Sequence, residues 1–219
     1  MLKAQNINKS YGNLQVLNGV DLEINSGEVV SIVGSSGAGK STLLHILGTL
    51  DQPDSGSVIL DDVNISSLKK NDLALIRNQK MGFIFQFHNL LPEFTALENV
   101  CIPGYIGKKE QAELEKRGLE LLNILGIEDR AEHKPSELSG GEQQRVAVAR
   151  SLINSPQIVF ADEPSGNLDS KNAKELHNLF FDLKDQFNQT FVIVTHNEEL
   201  ATMADRKLTM ADGLITLDQ

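Results

Sequence analysis

The sequence predicts an α/β fold built on a mostly parallel core sheet. Three short apolar runs predict it: Val29 to Val33, Ile158 to Ala161, and Phe191 to Val194. Each is nearly continuous rather than alternating, the pattern of a strand buried on both faces of a parallel sheet. Helical spacings lie between them, at Leu43, Leu44, Ile46 and Leu47 after the first run and at Val146, Ala149, Leu152 and Ile153 before the second. Strands alternating with helices are the order of an α/β core.

Ahead of the first run, Val20, Leu22 and Ile24 alternate with Asp21 and Glu23, which predicts a strand with one wet face in an antiparallel sheet. Residues from about 87 to 150 hold helical patterns and no convincing buried strand, and read as a helical insertion. Thr95 and Glu98 have capping-box spacing, so a helix starts there. The segment from Lys108 to Leu125 is charged on one side and carries Leu114, Leu121, Leu122 and Leu125 on another, a solvated helix with a packing stripe.

Composition narrows the class. The chain has 219 residues, 40% of them hydrophobic, enough for a sizeable core. No window approaches the roughly 18 consecutive apolar residues of a membrane span, and the first residues lack the apolar run of a signal peptide, so the chain is expected to stay in the cytosol without inserting into a membrane. Thirty acidic residues against twenty basic give a net charge of −10, and no basic stretch offers a footprint for nucleic acid. The single cysteine, Cys101, reads as a small buried apolar side chain.

Gly34-Ser35-Ser36-Gly37-Ala38-Gly39-Lys40-Ser41 matches G-x-x-x-x-G-K-[ST] between a buried strand and a helix, the context that confirms a phosphate loop. Glycines at 34, 37 and 39 let consecutive N–H groups turn inward around phosphate oxygens. The helix that continues through Thr42 aims its own free N–H groups at the same anion. Lys40 supplies a full charge for the outer phosphates, and the Ser41 hydroxyl is placed to ligate Mg²⁺. The expected ligand is ATP with Mg²⁺.

Asp162 closes the second apolar run, where a buried strand delivers it to the carboxyl edge of the sheet as the expected Mg²⁺ partner. Glu163 follows and is the candidate to orient and polarise an attacking water. In Leu138-Ser-Gly-Gly-Glu-Gln143, Ser139 and Glu142 again have capping-box spacing, and Gly140 and Gly141 leave the first amides of a helix open to an anion.

That last string resembles the signature of the ATP-binding cassette family, and other family positions follow in order across the chain. The resemblance implies the P-loop NTPase fold of an ATP-binding cassette ATPase, with an N-terminal antiparallel β subdomain and an α-helical subdomain. It implies one domain over 1–219, with about 1–86 and 151–219 forming the nucleotide-binding core and about 87–150 the helical part. Tyr11 matches the aromatic that stacks on adenine, and Gln86 the glutamine that senses metal and γ-phosphate. Gly166-Asn-Leu-Asp169 resembles the loop joining two sites, and His196 matches the histidine that hydrogen-bonds the γ-phosphate. In this family the signature of one subunit, here Ser139 and Gly141, closes over nucleotide held by the other, which implies a homodimer in the ATP-bound state.

The stretch from Phe87 to Val100 is richer in apolar residues than a surface loop requires: Leu90, Leu91 and Phe94 either line a groove for a partner helix or pack the helical insertion onto its core. With Arg77-Asn-Gln-Lys80 and Ser136-Glu-Leu138 it is very similar to ATPase subunits of lipoprotein-releasing systems. The resemblance implies a peripheral ATPase on the cytoplasmic face of the bacterial inner membrane, docked near Gln86–Val100 to integral permease subunits. Macrolide-type exporters share nearly all these motifs, and a cell-division ATPase of the superfamily transmits a signal without transport. Ser165 stands where these proteins commonly have threonine, Thr49 where glycine is frequent, and the chain between Tyr11 and Val16 is shorter than in many relatives.

Overall fold

A computed structural model describes residues 1–219. Two sheets organise it. The first is antiparallel: β1 (Leu2–Tyr11) and β2 (Leu14–Ile24) form a hairpin with Leu2 opposite Ile24, and β4 (Ser55–Leu60) and β5 (Val63–Asn64) extend it in the order β2-β1-β4-β5. Val20, Leu22 and Ile24 are buried while Asp21 and Glu23 are exposed, as the alternation requires.

The second sheet holds β3 (Val29–Gly34), β6 (Met81–Phe85), β7 (Ile158–Asp162), β8 (Thr190–Val194), β9 (Arg206–Ala211) and β10 (Leu214–Asp218), ordered β10-β9-β3-β8-β7-β6. All neighbours are parallel except β10, which runs antiparallel to β9. The three apolar runs are β3, β7 and β8, side by side. Their alternate residues enter two different cores. Val30, Ile32, Ile158, Phe160, Val192 and Val194 pack with the antiparallel sheet and α1 (Lys40–Leu47). Val29, Val159, Ala161, Phe191 and Ile193 pack on the other side with α6 (Ser170–Phe187) and the helices of the insertion. A strand between two cores has no wet face, which is why these runs do not alternate. Phe160, Phe180 and Phe191 are fully buried, each contributing about 2–3 kcal/mol of transfer free energy.

Residues 87–150 carry α3 (Ala96–Ile106), α4 (Gln111–Ile124) and most of α5 (Gly140–Leu152), and no strand. The capping box at Thr95 and Glu98 is formed in both directions. Helix α4 starts three residues later than the charge pattern predicts, because Lys108 takes a left-handed φ of 58° and breaks the path from α3. Leu114, Leu121 and Leu122 form its buried stripe, and Cys101 is fully buried against it. Helices α2 (Lys70–Lys80) and α7 (Glu198–Met203) complete the fold. No helix is long and apolar enough to cross a membrane.

Parallel register fixes what meets at the carboxyl edge. Phe85 lies opposite Asp162, Asp162 opposite Val194, and Val194 opposite Ile32. The next residues along each strand therefore share one rim, which brings Gln86, Glu163 and Thr195 beside the loop that follows Val33.

Candidate functional site

The loop after β3 is glycine-dependent for two separate reasons. Gly34, Gly37 and Gly39 have φ of 147°, 81° and 96°, a region L side chains rarely adopt. A Cβ on Gly34 would also lie 2.2 Å from the Met210 carbonyl oxygen, and one on Gly39 would lie 2.8 Å from that of Val16. Around Gly37 the space is open, and Ser35 and Ser36 are exposed while Ala38 is buried. Gly39 caps α1 without a side chain, so the start of the helix has no side-chain cap and its first amides are left for an anion. The Lys40 ammonium donates to the carbonyl oxygens of Gly34 at 3.0 Å and Ser35 at 2.9 Å, folded over the same loop.

Opposite the loop, the Ser41 hydroxyl donates to Asp162 Oδ1 at 3.0 Å. Burial raises the Asp162 carboxyl above its ordinary range, against the pull of the Ser41 hydrogen bond and of His45. His45 Nε2 stands 3.7 Å from Asp162 Oδ2. No motif marks His45, although its position four residues after Ser41 on α1 puts both on one helix face.

Glu163 follows Asp162 with a left-handed φ of 47°, and its N–H donates to the Val194 carbonyl at 2.9 Å. A glutamate held there costs on the order of 1–3 kcal/mol, a strain typical of functional positions. The turn aims the side chain across the rim: Oε2 is 2.7 Å from His196 Nδ1 and accepts from the His196 N–H at 3.2 Å. Most of the Glu163 side chain is covered, while the His196 side chain is 72% exposed.

Gln86 is tied to the loop of residues 166–169 by a reciprocal pair. Its Nε2 donates to Asn167 Oδ1 at 3.1 Å, and Asn167 Nδ2 donates to the Gln86 carbonyl at 3.0 Å. Gly166 permits the approach, since a Cβ there would meet the Gln86 amide at 2.9 Å. Asp169 caps α6 by accepting from the Asn172 N–H at 2.9 Å. Ser165 has its hydroxyl 3.0 Å from Nε2 of the buried His177, a partner no local pattern announced.

At the start of α5 the capping box is formed: the Ser139 N–H donates to Glu142 Oε2 at 2.8 Å, and the Glu142 N–H donates to Ser139 Oγ at 3.3 Å. Arg130 Nε donates to the other carboxylate oxygen at 2.8 Å. The Ser139 amide and Arg130 together hold the Glu142 carboxyl down to about 2. Ser139 is exposed, and no hydrogen bond joins it or Gly141 to residues 34–42 of the same chain. Tyr11, at the end of β1, is 52% exposed.

Within one chain the structure thus gathers Gly34–Thr42, Asp162, Glu163 and His196 at one sheet edge, with Gln86 on the same rim. It leaves Ser139 exposed, away from that edge, with Gly141 half-buried against Asn172 of α6. The sequence matches the ABC transporter family over residues 17–166. This chain belongs to that family. Among ABC relatives, it is 64% identical over 215 residues to the lipoprotein-releasing system ATP-binding protein LolD of Cytophaga hutchinsonii, covering 98% of each chain. It is 59% identical over 218 residues to the LolD protein of Bacteroides thetaiotaomicron, covering 100% of both. Among solved structures, it superposes with a TM-score of 0.91 on a dimeric ATP-binding cassette in a post-hydrolysis state bound to ADP and phosphate, 42% identical, over 100% of this chain and 98% of that one. The mixed sheet and helical insertion described above are therefore those of an ABC ATPase cassette.

Proposed function

We propose that this chain is the ATP-hydrolysing subunit of an inner-membrane complex that releases lipoproteins toward the outer membrane. Full-length identity of 64% to a LolD protein carries the assignment of cargo class, and the rim from Ser41 to His196 carries the chemistry.

Amides of the phosphate loop and of the first turn of α1, with the Lys40 ammonium, bind and orient the polyphosphate; the Ala38 N–H is engaged within the loop, donating to the Ser35 carbonyl at 3.2 Å. Ser41, Asp162 and Gln86 offer oxygen donors of the kind Mg²⁺ prefers, and a carboxyl raised by burial fits a site completed by a cation. These residues would hold the ion beside the phosphates, where its charge would offset that of the β- and γ-phosphates. Glu163 takes a proton from water as its oxygen forms a bond to the γ-phosphorus; the bond to the bridging oxygen breaks, and ADP and phosphate leave. His196 orients the Glu163 carboxylate through Nδ1 and reaches the γ-phosphate from the exposed side.

The start of α5, with Ser139 exposed and Gly141 beside it, completes the site of a second copy, so ATP closes a homodimer and its cleavage reopens it. The membrane partners are integral permease subunits of the LolC/LolE kind, with this chain peripheral on the cytoplasmic face. Of the apolar residues after Gln86, Leu90 packs inward, whereas Phe87, Leu91 and Phe94 are exposed. Beside them runs a groove of about 470 Å³ walled by Met81, Phe83, Phe85, Pro103 and Ile106. Of the six arginines, four are in ion pairs, and the other two, Arg77 and Arg150, both line this groove. An apolar permease helix that carries a carboxylate suits it.

The test is reconstitution with the permease subunits in liposomes loaded with labelled lipoprotein. ATP-dependent transfer of label to a soluble carrier is expected. Turnover stimulated by drugs or peptides without lipoprotein transfer would overturn the assignment.

A further inference from the structure

The aromatic ring of Tyr11 does not hang freely at the end of β1. Its hydroxyl donates to Asp51 Oδ2 at 2.6 Å. The second oxygen of Asp51 accepts from Lys9 Nζ at 3.0 Å and from the Gln52 N–H at 2.7 Å. Lys9 also donates to the Gln52 carbonyl at 2.6 Å, and its ammonium lies 5.1 Å from the centre of the Tyr11 ring. The Lys9 side chain is only 11% exposed, yet Tyr11 beside it remains 52% exposed. The nearly buried Lys9 also lies 4.0 Å from Asp54 Oδ1, but its short carboxylate contact is with Asp51, which in turn grips a half-exposed phenol. Burying a lysine to hold a surface aromatic is unfavourable unless the orientation of the ring matters.

Asp51 also belongs to the body that carries the phosphate loop. The His45 carbonyl of α1 accepts from the N–H groups of Leu50 at 2.8 Å and Asp51 at 3.2 Å. A second tie runs from the Ser10 N–H to Asp54 Oδ2 at 2.7 Å. Through these contacts the end of β1 is fixed to the helix that begins at Lys40, although Tyr11 and its partner Asp51 lie 40 residues apart along the chain.

We propose that Asp51, held by Lys9, is a positioning residue for nucleotide binding, presetting the Tyr11 ring so that its open face meets the base of ATP. The proposal rests on the reading that Tyr11 stacks on adenine. Presetting removes the loss of side-chain freedom that a mobile tyrosine would suffer on binding. The ammonium near the ring is a cation close to the π-face, a second contact favouring that orientation.

The experiment measures competition against a fluorescent ATP analogue on the purified chain, using ATP and, separately, inorganic tripolyphosphate, which has no base. Tyr11→Phe keeps the ring and removes the grip; Asp51→Ala removes the grip from the other side. Each should weaken ATP about three- to tenfold, the scale of ordering one side chain. Neither should change tripolyphosphate, and the double variant should be no weaker than either single one. Equal weakening of both ligands would mean a structural role and overturn the proposal. Tyr11→Ala separates the two readings: if it weakens ATP while Tyr11→Phe and Asp51→Ala do not, the positioning role fails and the stacking stands. If Tyr11→Ala leaves ATP binding unchanged, the stacking itself fails.

Discussion

Glu163 and His196 are joined twice, through the imidazole Nδ1 at 2.7 Å and the His196 main-chain N–H at 3.2 Å, both to Oε2 of the glutamate. One oxygen is thereby occupied, and the other carries no hydrogen bond, as the proposed role of Glu163 toward water requires. The left-handed turn at Glu163 is what permits this, because it swings the side chain off the line of β7 toward the loop after β8.

Glu163→Gln preserves the shape and the acceptor toward His196 but cannot take a proton. Turnover should fall about 10²- to 10⁴-fold, the usual worth of a positioned general base, while ATP binding persists. Size-exclusion chromatography with ATP should then show dimers accumulating. Monomers only, under saturating ATP, would contradict the closing mechanism.

The parts of this site that were legible in the sequence are those encoded locally. The phosphate loop needs eight consecutive residues, and the capping boxes at Thr95 and Ser139 need four. The runs of β3, β7 and β8 are legible because burial on both faces leaves a dense apolar string. Helix α2 gives no such signal: of its eleven residues only Leu73 is buried, so no stripe recurs at helical spacing. Strand β1 is irregular, with register shifts between Ala4 and Ile7 and between Lys9 and Ser10 that blur its alternation. The contacts of Tyr11 with Asp51 and of Gln86 with Asn167 span 40 and 81 residues, and no local pattern encodes them. Composition could not sort Leu90 from Leu91 and Phe94, because one packs inward and two outward only once α3 is placed on its core.

Acid should weaken the start of α5. The Glu142 carboxyl is lowered from 4.5 to about 2 in the folded chain. A depressed carboxyl stabilises the fold above its unfolded value, and that stability is lost as pH falls from about 4.5 through about 2. Discounted for its partial contact with water, the contribution is about 2 kcal/mol. In denaturant titrations Glu142→Gln should be less stable than the parent by this order at pH 7, with the gap narrowing steadily below pH 4.5. A gap independent of pH would show that the charge of Glu142 is not what matters.

Ile106 is 69% exposed at the end of α3 and forms one wall of the apolar groove. Ile106→Asp removes little buried surface, so the melting temperature should change by less than a few degrees. Placed in an apolar docking surface, however, an unpaired carboxylate is costly, and affinity for the permease subunits should drop at least about tenfold. Co-purification from detergent extracts measures this, with nucleotide binding by the isolated chain as the control. Undiminished co-purification would move the docking surface elsewhere.

Thr49 is a β-branched residue with a φ of 60°, a genuine outlier at a position that a glycine would occupy without strain. Arg77 holds it there. Its Nε donates to Thr49 Oγ1 at 3.0 Å and its NH2 group donates to the Thr49 carbonyl at 2.6 Å, all with Thr49 buried. Two terms of similar size therefore oppose each other in Thr49→Gly. Release of the left-handed conformation gains about 1–2 kcal/mol, and loss of a hydrogen bond from a charged donor costs about 1.5–3 kcal/mol. The single substitution should be near neutral or slightly destabilising. In an Arg77→Ala background the hydroxyl has already lost that donor, so Thr49→Gly should there raise stability by about 1 kcal/mol. The cycle of four proteins, compared by denaturant midpoints, isolates the coupling. Equal effects of Thr49→Gly in both backgrounds would show that the Arg77 contact with the hydroxyl carries no stability, leaving the strain at Thr49 without its counterweight.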